Sequence, residues 1–100
     1  MVYPMKANEK IVSKMIKQYG KGKITTICME ECAELIQAVS KEKRKKRKKN
    51  HKNVDKEHLA EEMADVLICF EIIKQVYGIT DKDIKKQLEI KQKRNKARLK

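Results

Sequence analysis

The 100-residue chain is 40% apolar and carries a formal net charge of +12. Its length leaves room for one domain, expected over residues 1–100, with a core too thin to bury much of its surface alone. No run of about 18 uncharged apolar residues is present, which excludes a helical membrane span; the opening Met1-Val2-Tyr3-Pro4-Met5-Lys6 lacks the apolar stretch of a secretory signal, and a cytoplasmic location is expected.

Taken in order, the chain reads as helices separated by breaks. Pro4 precedes a first helical pattern through Ile11, Val12, Met15, Ile16 and Tyr19, which Gly20 and Gly22 are expected to end. A second helix is expected from an N-cap at Thr25 or Thr26 to about Ser40 or a little beyond. Lys41 to about Asn53 has no apolar periodicity and reads as a solvated loop. Asn53 or Asp55 caps a third helix that stops at Gly78. Its middle, Val66 to Ile73, is apolar on nearly every side apart from Glu71, as expected of a central buried helix, with Phe70 and Tyr77 as core residues. Thr80-Asp81-Lys82-Asp83 has the form of a capping box leading into a fourth helix through Ile84, Leu88 and Ile90 to about Arg98. No segment alternates as a strand does. The expected fold class is all-α, a four-helix bundle.

Two acidic motifs fall on the stripes expected to face the core. Glu30-Glu31-Cys32-Ala33-Glu34 lies among Ile24, Ile27, Cys28, Leu35, Ala38 and Val39; Glu61-Glu62-Met63-Ala64-Asp65 lies among Leu59, Val66, Cys69, Phe70, Ile73 and Val76. Residues three or four apart share a helix face, pairing Glu31 with Glu34 and Glu62 with Asp65. A lone Glu-x-x-Glu is ordinarily a solvated surface. Two such pairs inside apolar stripes are different, because buried ionised carboxylates are costly and repel one another. A hard divalent cation, Mg²⁺ or alternatively Mn²⁺, is the simplest compensation, and phosphate substrates accompany such ions. A ferritin-like di-iron site is not expected, since no Glu-x-x-His occurs. Glu30 and Glu61 fall on another face and are expected in solvent or in salt bridges, with Glu30, four residues before Glu34, able to assist it.

Glu31-Cys32-Ala33-Glu34-Leu35 and Glu62-Met63-Ala64-Asp65-Val66-Leu67, separated by a long linker, resemble the ExxE…ExxD signature of the MazG-like all-α nucleoside triphosphate pyrophosphohydrolases, short single-domain type. Tyr19-Gly20 before the first motif and Tyr77-Gly78-Ile79-Thr80-Asp81 after the second extend the resemblance over roughly residues 15 to 98. It implies an Mg²⁺-dependent hydrolase that converts an NTP or dNTP and water to the monophosphate and pyrophosphate. It also implies that Glu31, Glu34, Glu62 and Asp65 hold the metal and carry the catalysis, and that the protein assembles as a homodimer or homotetramer. Lys91, Arg94 and Arg98 lie along one face of the fourth helix and are candidates to clamp substrate phosphates; the alternative is a basic helix end that complements the helix dipole. The chain departs from many relatives at Ile24-Thr25-Thr26, where they carry a polar residue such as Gln.

The remaining features are less specific. Cys28, Cys32 and Cys69 read as small buried hydrophobes in a reducing compartment, and a soft-metal site joining Cys28 and Cys32 to His51 or His58 is disfavoured by their spacing. Tyr19 is a weak candidate to line a base pocket. Lys41 to Lys56 holds ten of the 26 basic residues and two of the 14 acidic ones, so +8 of the +12 net charge sits there. This run is either a solvated loop, an attractor of anionic nucleotides, or a nonspecific binder of nucleic-acid phosphates. A small nucleic-acid-binding protein acting through Lys41–Lys56 is therefore the alternative function, and a catalytically silent interaction module a third. The acids argue against the binder, because a buried carboxylate cluster repels phosphate unless a metal intervenes.

Overall fold

In the computed structural model, residues 5–46 and 53–100 are described. They form α1 (Glu9–Tyr19), α2 (Lys21–Lys46), α3 (Lys56–Tyr77) and α4 (Asp81–Arg98), with no strand among them. The fold is all-α, of four-helix-bundle type.

Local chemistry sets most helix ends. The Asn8 side chain accepts the Ile11 N–H at 3.0 Å, and the Asp55 carboxylate accepts the His58 N–H at 3.1 Å. Thr80 and Asp83 form the expected capping box, with reciprocal bonds of 3.1 and 2.9 Å. Gly78 closes α3 in the left-handed region at φ 67°. Between α1 and α2 the break is shorter than expected. Gly20 alone makes it, at φ 84° and ψ 155°. Its N–H donates to the Ile16 carbonyl at 2.9 Å, and its own carbonyl accepts the Ile24 N–H at 3.0 Å. One residue thus ends one helix and opens the next, so Gly22 is helical. Thr25 and Thr26 cap nothing: their hydroxyls donate back to the carbonyls of Lys21 and Gly22.

The far end of α2 also differs from expectation. The helix continues through Lys41 to Lys46 instead of ending near Ser40. Lys and Arg are good helix formers and complement the negative end of the helix dipole. Two local contacts support the added turns, Arg44 to the Ser40 hydroxyl at 2.9 Å and Lys45 to Glu42 at 2.9 Å. Residues 41–46, expected in the loop, are thus helical; residues 47–52, including His51, lie outside the described residues.

The core is Val12, Ile24, Cys28, Cys69 and Ile72, with Ala7, Met15, Ile16, Ile68 and Val76 packed around it. It lies where α1 covers the seam between α2 and α3. Those two helices run antiparallel: Cys28 faces Cys69, Glu31 faces Asp65 and Glu34 faces Glu62. Buried Glu71, the one polar residue in the apolar run of α3, accepts from Gln75 at 2.8 Å and pairs with Lys74 at 3.3 Å. Lys74 also pairs with Asp81, and Gln75 donates to the Glu9 carbonyl at 3.0 Å. This network ties the α1 start and the α4 start to α3.

Beyond that anchor α4 packs against none of the other three helices. Leu88 and Ile90 are exposed, and only Ile84 is partly covered. The consequence reaches α3. Its centre is covered on two sides only, so Phe70 and Tyr77, expected in the core, are 55% and 65% exposed. Cys32, also expected to be buried, is exposed on α2.

Candidate functional site

One to two turns beyond the core, the α2–α3 seam is lined by acids. Because the helices are antiparallel, the three-residue spacing of each motif brings both pairs to one level. One carboxylate oxygen from each of Glu31, Glu34, Glu62 and Asp65 lies within 4.8 Å of the others. The four expected ligands are therefore brought together, while Glu30 and Glu61 point to solvent as expected. Glu62 is only 9% exposed, Glu31 and Asp65 are partly buried, and Glu34 stands at the open side.

The electrostatics are those of a cluster short of positive charge. Burial pushes the Glu31 carboxyl up to about 7, helped by its hydrogen bond to Asp65 and by the charges of Asp65 and Glu34. Burial also raises Glu62, with Glu34 and Asp65 adding to the shift and His58 opposing it. A hydrogen bond between two carboxyls needs a proton, and a cation placed there takes over its role. Oε2 of Glu31 and Oε2 of Glu62 are buried and have no hydrogen-bond partner. Buried acceptors left unpaired are costly, and an all-oxygen donor set suits a hard divalent cation. The residues fit such an ion.

Beside the acids a cleft of about 450 Å³ opens, walled by Glu34, Gln37, Ala38, Lys41, Arg44, His58 and Glu62. His58 Nε2 lies 3.9 Å from Glu62 Oε1. Sequence reasoning assigned Lys41 and Arg44 to a loop and left Gln37 and His58 out of the site. The usable signal was periodicity: Glu34, Gln37, Lys41 and Arg44 continue the face of Glu31 at three- and four-residue steps, and His58 stands one turn before Glu62.

Other candidates are not gathered there. Lys91, Arg94 and Arg98 are exposed on α4, which does not pack on either acid-bearing helix. Tyr19 ends α1 with the Lys23 ammonium 5.5 Å above its ring. Cys28 faces the core and Cys32 faces outward, so the two do not converge with His58. Among the described residues, the acids are the group placed to share a metal.

Antiparallel helices with an ExxE pair facing an ExxD pair define the MazG-like all-α NTP pyrophosphatase class. The chain belongs to the phosphoribosyl-ATP pyrophosphohydrolase family, whose model matches residues 5–95. It is thus a pyrophosphohydrolase, a hydrolase of phosphoric anhydrides. No curated protein and no solved structure matches it. No helix among the described residues is long and apolar enough to cross a membrane.

Proposed function

We propose that the protein hydrolyses a nucleoside triphosphate, NTP or dNTP, to the monophosphate and pyrophosphate, with Glu31, Glu34, Glu62 and Asp65 as the catalytic, Mg²⁺-binding residues. The observation that carries this reading is the convergence of four carboxylates with two buried, unpartnered oxygens. The family name points to phosphoribosyl-ATP, which bears the same triphosphate chain as an NTP, and it belongs among the substrates tested. Mg²⁺, or Mn²⁺ in its place, supplies charge neutralisation for phosphate oxygens and a more acidic water. The chain's own part is positional. Glu31, Glu62 and Asp65 are held by the packed seam, and Glu34 at the open side is placed to accept a proton from an attacking water. Water adds to the α phosphorus, the α–β bridging P–O bond breaks, and pyrophosphate leaves.

Self-association belongs to the same proposal. Met29, Ile36 and Tyr77 around one hollow and Met63 and Phe70 around another are each more than half exposed, apolar surfaces suited to a homodimer or homotetramer. Lys91, Arg94 and Arg98 then reach a phosphate from the α4 of a neighbouring copy. A cytoplasmic location accords with three free cysteines and a nucleotide substrate.

The test is pyrophosphate release from a panel of NTPs, dNTPs and phosphoribosyl-ATP, with Mg²⁺ or with EDTA, for the wild type and Glu62→Gln. Metal-dependent release that the substitution abolishes is expected. No release from any member by a folded wild type overturns the reading.

A further inference from the structure

The geometry points to the cleft of Lys41, Arg44 and His58 as the seat of the terminal phosphates, the part of the substrate that departs as pyrophosphate. This inference rests on the pyrophosphohydrolase reading and adds an orientation to it. Glu34 and Glu62 belong both to the acid cluster and to the wall of the cleft. A phosphate chain with its scissile bond at the acids therefore extends directly into the cleft. Apart from Ala38, the lining is polar or charged, which suits a polyanion and not a nucleobase. The larger apolar hollows, one lined by Met29, Ile36 and Tyr77 and one by Met63, Leu67 and Phe70, include none of the four acids.

Charge balance gives the second argument. Four clustered carboxylates repel a polyphosphate, so cations must meet its far end. Within one chain α4 does not bring its basic residues to the acid-bearing helices, whereas the added turns of α2 place Lys41 and Arg44 on the cleft wall. The Arg44 guanidinium donates to the Ser40 hydroxyl at 2.9 Å; Ser40 does not line the cleft, so the arginine exchanges this bond for a phosphate oxygen when the ligand arrives. Arg offers a forked pair of donors to phosphate oxygens, and Lys a mobile point charge. His58, at 3.9 Å from Glu62, stands at the junction between acids and cations.

The competing explanation is that Lys41 and Arg44 only complement the α2 C-terminus. That role affects helix stability and leaves anion affinity alone. The experiment is calorimetric titration of inorganic pyrophosphate, in Mg²⁺ buffer without turnover, into the wild type, Lys41→Ala, Arg44→Ala and Arg44→Lys. Lys85→Ala, an exposed α4 position outside both acids and cleft, controls for net charge. Loss of a charge-assisted contact predicts about tenfold weaker binding in each alanine variant and partial recovery in Arg44→Lys. In the hydrolysis assay, KM rises by a similar factor while kcat is largely kept, as for a contact made equally in ground and transition states. Absence of pyrophosphate binding by the wild type overturns the inference, as does equal affinity in all variants or a loss no larger than in Lys85→Ala. The two readings fail separately. Hydrolysis that Glu62→Gln abolishes, with pyrophosphate affinity indifferent to Lys41 and Arg44, removes only the orientation. Pyrophosphate binding that depends on them, without hydrolysis of any nucleotide, removes only the enzyme reading.

Discussion

At the residue scale, the acid cluster has opposite effects on stability with and without a cation. The Glu31 carboxyl titrates at about 7 against an ordinary value of 4.5, facing Glu34, Asp65 and, across the seam, Glu62 with His58 beside it. The folded state therefore holds a proton that the unfolded chain has released between about pH 4.5 and 7, and stability falls as pH rises through that window. In EDTA, Glu31→Gln, which mimics the protonated acid, is expected to gain in Tm over the wild type from pH 4.5 to 7. With excess Mn²⁺ at pH 7 the order reverses, since only the wild type keeps all four ligands. A Tm difference that does not change with pH removes the argument. The thiols provide a second check. Burial pushes Cys69 up to about 12 and raises Cys28, while Cys32 is exposed. Iodoacetamide at pH 8 should label Cys32 in dilute native protein and all three cysteines in urea, as read by mass spectrometry. Rapid labelling of Cys69 in the native state would contradict the packing.

Elements differ in how much of their definition is local. The caps at Asp55 and Thr80 and the glycine at 78 were legible because each acts within three or four residues of itself. Gly20 and Gly78 have open space where a Cβ would go, so alanine at either costs backbone strain alone. Gly20, at φ 84° and ψ 155°, sits in a region nearly closed to other residues, with a cost of about 1–3 kcal/mol. Gly78, in the left-handed helical region, costs about 1 kcal/mol. Urea unfolding should thus rank Gly20→Ala as the more damaging substitution, and the reverse order would refute the assigned breakpoint. Since α4 packs on no other helix of its chain, its order depends on its own cap, on the Lys74–Asp81 pair at its start and on any neighbour. Thr80→Ala removes about 1 kcal/mol of capping. Hydrogen exchange should therefore quicken along α4 while the α2–α3 seam is unaffected; uniform loss of protection would show that α4 is coupled to the core.

For the whole molecule, shape and surface agree. The radius of gyration is 16.8 Å, against about 13 Å for a compact domain of this length. An α4 that packs on no other helix extends the molecule and leaves apolar residues of α3 and α4 uncovered. Sedimentation should show a concentration-dependent dimer or tetramer, and Phe70→Glu should shift it toward monomer by placing a charge on the uncovered face. A wild type that stays monomeric at high concentration contradicts the self-association proposal.

Sequence by itself determined the helical class, most of the helix ends and the two acidic pairs, because helical periodicity and capping are short-range. Glu31 pairs with Glu34, and Glu62 with Asp65, on spacing alone, since a step of three residues leaves few other ways to share a helix face. What only the tertiary structure decided depends on contacts between distant segments. It set the antiparallel register that levels Glu31 with Asp65, and it left Phe70 and Tyr77 uncovered by α4. It also turned Lys41 and Arg44 from an expected loop into one wall of the acidic cleft. Local composition could not reveal these outcomes: a run of lysines reads alike in coil and in an exposed helix, and an apolar residue does not carry the identity of what covers it.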